Sequence, residues 1–185
     1  MDLPSAVVLE LSDLHVIALV RAVRRGDAAA LGTLYDAYAD TLYRTAFRLS
    51  GNSDDAQDIV HDCFVGLPEA LLQYDERGRL EAWLRRVVVR LVLMRRRSEL
   101  RRREDRVDLT PISSPMRTEA RAELGDVRSA VSALPQAMRD VFLLKQIEGY
   151  SHEEIAQLLG ISAGASRVRF SRALDTLRRA LTSHD

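Results

Sequence analysis

Cysteine is almost absent. Cys63 is the single one, so no disulfide can close within one chain, and the composition suits a reducing cytoplasm. Glycine and proline are sparse, with nine and five residues, which leaves long stretches free to stay helical. Long apolar runs are missing. None approaches the roughly 20 residues that a membrane helix needs, so no membrane insertion is expected. The first twenty residues lack a basic leader and carry Glu10 and Asp13 inside their apolar stretch, which does not read as a signal peptide. Net charge is also missing. The 27 Lys and Arg balance the 27 Asp and Glu, so bulk electrostatics predicts no attraction to nucleic acid. Finally, equipment for catalysis is not visible. There is no Gly-rich phosphate loop of Walker form, and His15, His152 and His184 are scattered. His61-Asp62-Cys63 offers ligand types, but neighbouring helical positions point in different directions. No enzyme activity, metal site or cofactor is expected.

What is present is helical periodicity. Hydrophobic residues make up 46% of the chain, enough for a core, and they recur at steps of three and four rather than two. The expected fold class is all-α. Residues 14–25 read as a first helix, stopped at Gly26, with Asp27 capping the next. Leu31, Leu34, Tyr35, Tyr38, Leu42, Tyr43, Ala46, Phe47 and Leu49 form the stripe of one long amphipathic helix. After a turn at 50–53, a helix from Asp54 or Asp55 carries Ile59, Val60, Phe64, Val65 and Leu67 on its apolar side. Asp54, Asp55, Asp58 and Asp62 line its outer face, which on its own reads as a solvated face. Pro68 should kink this helix or start another. Residues 74–79 read as a loop, and a helix from about Leu80 runs through Trp83, Leu84, Val87, Val88 and Leu91 into an arginine-rich tail.

Around Thr110-Pro111-Ile112-Ser113-Ser114-Pro115 the pattern dissolves, which predicts a flexible linker. The chain should therefore comprise an N-terminal lead (1–16), a larger helical domain (17–104), a linker (105–118) and a smaller helical domain (119–185). The last domain holds helices over 119–133 and 136–148, the latter apolar through Val141, Phe142, Leu144 and Ile147. Ser151-His152-Glu153-Glu154 is a capping box that opens a short helix. Ile155, Ala156 and Leu159 should face inward. Gly160-Ile161-Ser162 supplies a tight turn. A final helix from about Ala163 to Leu181 should be buried through Phe170, Ala173, Leu174, Leu177 and Leu181. A short capped helix, a turn with glycine and a basic helix form a helix-turn-helix pattern. The second helix of such a motif fits the major groove, and Arg167, Arg169, Ser171 and Arg172 are the candidates for phosphates or base edges. A generic helical hairpin with a solvated arginine face is the plainer alternative.

Residues 134–142 and 148–156, continuing through Gly160-Ile161-Ser162 to Arg172-Ala173, resemble region four of bacterial RNA polymerase sigma factors, and most of all the extracytoplasmic-function group. The N-terminal half agrees. Leu34-Tyr35-Asp36-Ala37-Tyr38 and Leu42-Tyr43 look like the start of region two. Residues 54–64 look like its polymerase-binding helix, and Gly78-Arg79-Leu80-Glu81-Ala82-Trp83-Leu84 with the following arginines looks like its promoter-melting and −10-reading segment. The resemblance implies a factor that binds core RNA polymerase and directs it to promoter DNA. Region four would read the −35 element and region two would hold unpaired −10 bases. It implies polymerase contacts from Asp55, Asp58, Ile59, Asp62 and Phe64, made to the clamp helices of the largest subunit. It implies −10 and melting roles for Arg77, Arg79, Trp83, Arg86, Arg90 and Arg97, although by pattern Trp83 reads as core. An anti-sigma factor is an implied partner. The arginine excess over residues 85–106 suits a phosphate track.

Some positions depart from the family pattern. Arg90 and Met94 stand where Asn and Asp are common, Pro68 where tryptophan is common, and Ser166 where a large aliphatic residue is usual, with Val168 two places on. These departures motivate the alternative of a helix-turn-helix regulator or a degenerate sigma-like protein that does not initiate transcription.

Overall fold

The computed structural model describes residues 13–75, 79–105 and 122–182. Among these, every regular element is helical, as the periodicity requires. The chain divides into two compact units, residues 1–98 and 99–185. Most of the expected lead (1–12) and linker (106–118) lies outside the described residues, as does Arg77 in the expected loop.

In the first unit, α1 (Asp13–Arg24), α2 (Ala28–Ser50), α3 (Ser53–Val65) and α4 (Leu67–Ala70) follow one another, and α5 (Leu80–Asp105) starts there and runs past the boundary at Ser98. The boundaries are set by capping groups. The Asp27 carboxylate accepts from the amides of Ala29 and Ala30 at 2.9 and 3.1 Å, satisfying two of the orphan donors at a helix start. Gly51 ends α2 in a left-handed conformation, φ 73°, which only a residue without Cβ adopts cheaply. The Asn52 side chain then accepts from Asp54 and Asp55 at 2.8 and 3.2 Å and opens α3. Pro68 sits in the first turn of α4, where its missing amide costs nothing. It starts a new helix rather than kinking the old one.

The core of this unit is built from one face of each helix. Leu34, Leu42, Ala46 and Leu49 of α2 meet Ala56, Ile59, Val60, Cys63 and Phe64 of α3. Leu84, Val88, Val89, Val92 and Leu93 are the buried face of α5. Trp83, Val87 and Leu91, expected on the inner stripe, are only half-buried, because the stripe is centred one position away. Full burial of each large aliphatic side chain contributes about 1.5–3 kcal/mol. Burial also pushes the Cys63 thiol up to about 12, so it stays protonated and unreactive at neutral pH.

The second unit contains α6 (Ala122–Ala133), α7 (Gln136–Phe142), α8 (His152–Leu159) and α9 (Ala163–Thr182). α9 packs against the other three. The expected helix over 136–148 is not regular. From Leu143 to Ile147 it widens into a π-type turn, with the Glu148 amide bonded to the Leu143 carbonyl at 3.1 Å. The additional residue in the turn rotates the downstream residues by about 100°. Ile147 therefore faces solvent, 45% exposed, while Leu143 and Leu144 are buried. Leu181, expected in the core, is 40% exposed, because it lies on the last turn of α9. Ile155, Ala173 and Leu177 are buried as expected; Ala156, Leu159, Phe170 and Leu174 are half-buried. No helix of the described residues is long and apolar enough to cross a membrane.

One side chain ties the end of the first unit's short helices to α1. The Arg24 guanidinium donates to the Leu71 carbonyl at 3.0 and 2.8 Å and to the Tyr74 carbonyl at 2.7 Å. The Leu71 carbonyl also accepts from the Tyr74 amide at 3.1 Å, so the guanidinium adds to the bond that closes this helical turn and ties the turn to α1. Arg24→Ala is expected to lower the stability of this unit by about 2 kcal/mol, read as a shifted urea midpoint. An unchanged midpoint would show that water replaces the guanidinium at no cost.

Candidate nucleic-acid interface

The helix-turn-helix pattern of residues 151–182 forms as a geometric unit. The Ser151 hydroxyl accepts from the Glu154 amide at 3.1 Å, and the Glu154 carboxylate accepts from the Ser151 amide at 2.8 Å. This reciprocal cap sets where α8 begins. Gly160 ends it with φ 67°, and Ser162 opens α9 by accepting from the Ala165 amide at 3.0 Å.

The rotation of α9 about its axis decides what it presents. Ser166 is fully buried, and its hydroxyl lies 2.9 Å from Nδ1 of His152. The Phe170 ring meets the His152 ring edge-on at 5.8 Å and stacks on Phe142 at 6.3 Å. A polar contact between α8 and α9 thus occupies the position where an aliphatic side chain was expected. With Ser166, Ala173 and Leu177 inside, the outward residues are Gly164, Arg167, Val168, Ser171, Arg172 and Asp175.

Three of the four sequence candidates, Arg167, Ser171 and Arg172, share that outward stripe. Arg169 does not; it is half-buried on the flank. Arg167 is held by Glu153 at 2.6 Å, an exposed pair of small energetic worth that orients the guanidinium. Val168 belongs to the stripe and was missed among the candidates. Counting back three residues from Ser171 and four from Arg172 places it there.

α5 also carries a continuous outer face. Ala82, Arg86, Arg90, Met94, Arg97 and Arg101 are exposed at steps of three and four, preceded by exposed Arg79. The structure therefore brings Arg86, Arg90 and Arg97 together, with Met94 between two of them at 62% exposure. Trp83 is off this face. It is half-buried against Tyr74, ring centroids 5.2 Å apart, which is a packing position.

On the acidic helix α3 the candidates divide between a buried and an exposed side. Ile59 and Phe64, expected to touch a partner, are 2% and 5% exposed. They are core residues that orient α3, because the same stripe cannot face both α2 and a partner. Asp55 and Asp58 already have a cationic neighbour: Arg95 of α5 reaches them at 3.0 and 2.9 Å. The acidic face is thus partly neutralised from within. Asp54, Gln57, Asp58, His61, Asp62 and Val65 form the exposed stripe of α3. His61 points outward while Cys63 is buried.

The environment of His152 has a consequence for pH. Burial, then the positive charges of Lys145 and Arg167, lower its pKa below the ordinary 6.5, against a smaller opposing effect of Glu153. The unfolded chain therefore binds this proton more readily. Stability from this residue is complete above 6.5 and falls as pH drops through the lowered folded value. An NMR titration is expected to place the His152 midpoint below 6.5; a midpoint at or above it would contradict the packing described.

Comparison with known proteins supplies the context for both units. The family described as Sigma-70 region 2 matches residues 34–103, and that described as Sigma-70, region 4 matches residues 124–177. The ECF RNA polymerase sigma factor SigE of Mycolicibacterium smegmatis is 36% identical over 170 residues, 86% of this chain and 65% of that protein. The chain thus spans just under two thirds of that relative's length. The RNA polymerase sigma factor NccH of Alcaligenes xylosoxydans xylosoxydans is 30% identical over 175 residues, 90% of this chain and 94% of that protein. Among solved structures, the sigma factor RpoE of Bartonella quintana, crystallised with the anti-sigma factor NepR, shares the fold with TM-score 0.54 at 21% identity, covering 91% of this chain and 95% of that one. On these grounds, and with both motif sets in the same order along one polypeptide, the chain belongs to the extracytoplasmic-function group of RNA polymerase sigma factors.

Proposed function

We propose that this chain binds core RNA polymerase in the cytoplasm and directs it to promoters, acting by binding rather than catalysis. The reading is carried by the outward stripe of α9, where Arg167, Ser171 and Arg172 stand together behind a firmly capped α8. A helix of this kind docks in the major groove, its side chains contacting base edges and phosphates. We assign α9 to the −35 element. The arginine face of α5, with Arg79, Arg86, Arg90 and Arg97, is assigned to the −10 region, where unpaired strands need positive charge along the backbone. Met94, between Arg90 and Arg97, offers an apolar surface to an unstacked base.

The exposed stripe of α3, Asp54, Asp58 and Asp62 in particular, is assigned to the polymerase clamp helices. DNA would be repelled there, and a cationic protein surface would be attracted. Arg95 limits this charge at Asp55 and Asp58, so Asp54 and Asp62 carry more of it. An anti-sigma factor is the proposed regulator, supported by the Bartonella neighbour, which is held in such a complex.

Transcription in vitro with core polymerase is the direct test. The expected outcome is promoter-directed transcript that depends on this chain. Binding to core without opening a promoter would instead favour a sigma-like regulator, to which Arg90, Met94 and Ser166 lend some support. The guanidinium of Arg172 has no ion-pair partner among the described residues and is free to meet a phosphate. Arg172→Ala should weaken holoenzyme binding to promoter duplex and flatten the slope of log affinity against log salt by about 0.9, the value of one lost phosphate contact. An unaltered slope would remove Arg172 from the interface.

A further inference from the structure

The outward stripe of α9 is chemically uneven. Arg167, Ser171 and Arg172 are donors, whereas Val168 is apolar and 50% exposed. It lies one residue from Arg167 and one helical turn from Ser171 and Arg172. Valine is branched at Cβ and holds one dominant rotamer in a helix. Its two methyls are therefore presented outward in a fixed position, where a longer side chain could fold back.

Such a group has a defined complement in a major groove. Base edges there display hydrogen-bond donors and acceptors, and one apolar feature, the 5-methyl of thymine. Val168 can neither donate nor accept. Placed against a polar edge it would strip water from that edge and offer nothing in return. Placed against thymine it buries methyl against methyl.

We propose that Val168 is a specificity-determining residue that reads the 5-methyl of one thymine in the upstream promoter element. The proposal rests on the assignment of α9 as the helix that enters the groove. Discrimination has two parts: apolar contact with the methyl, and the desolvation cost at any other base edge. Arg167 and Arg172 supply affinity on either side, and Val168 supplies the preference between them. Ser166 matters indirectly, because its burial against His152 sets the rotation that points Val168 outward.

The experiment uses core polymerase loaded with the full chain. Duplexes randomised upstream of a fixed start region are first selected for binding. Each thymine of the enriched upstream element is then replaced singly by deoxyuridine, which deletes only the methyl. One position is expected to lose about four-fold in affinity, the equivalent of about 0.8 kcal/mol for one buried carbon. Val168→Ser is expected to abolish that difference while binding core polymerase as tightly as wild type. An element insensitive to uracil at every position overturns the assignment of Val168 and leaves the promoter reading standing. So does a uracil effect that persists unchanged in Val168→Ser. If loaded polymerase enriches no duplex, the promoter reading itself fails, and the assignment with it.

Discussion

The burial of one face of α9 is the constraint on which the proposed DNA contact depends. Ser166, Ala173 and Leu177 point into the second unit, and the Phe170 ring is packed between Phe142 and His152. A helix has one rotational freedom about its axis once its position is set, and these contacts remove it. Every side chain that α9 can present to a groove is then fixed by helical geometry from that single choice of inner face. The hydrogen bond between Ser166 and His152 is the unusual part. A hydroxyl in a fully buried site needs a partner, and the imidazole at the start of α8 provides one. The two helices of the motif are thus held by a directional contact where apolar packing was expected, and a directional contact fixes rotation more narrowly.

The first unit obeys the same logic with two outward faces instead of one. α3 buries Ile59, Val60, Cys63 and Phe64 and leaves a carboxylate stripe; α5 buries Leu84, Val88 and Val92 and leaves an arginine stripe. The faces carry opposite charge, so they suit different partners. Arg95 links the two helices through Asp55 and Asp58. This pair is part-exposed and of modest energy, but it redistributes charge. It draws positive charge away from the nucleic-acid side and negative charge away from the protein side. A net charge of zero for the whole chain conceals this separation.

Much of the fold was legible in sequence because it depends on local chemistry. Asp27 and Ser151 cap helices, Gly160 ends one, and residues 50–53 turn the chain between two others, whatever surrounds them. Pro68 opens a helix for the same local reason. The apolar spacing of residues 31–49 and 155–177 specified helices and, within one residue, their inner faces. Where local rules were insufficient, the expectations missed. Ile147 turned outward because a π-type turn shifted the helical register, and nothing in the pattern of residues 136–148 announces that insertion.

The candidate site divides the same way. Sequence alone determined that the chain is helical, that two motif sets occur in order, and that arginines crowd residues 85–106 and 167–179. Those are facts of composition and spacing. Tertiary packing decided which of those residues share a surface. It kept Arg167, Ser171 and Arg172, moved Arg169 to the flank, and added Val168. It withdrew Ile59 and Phe64 into the core and paired Asp55 and Asp58 with Arg95 across 37 residues of chain for the latter pair. The reason is physical. A residue's type sets what it can bind, but which way it faces depends on which side of its helix lost water to a neighbour, and that neighbour is remote in sequence.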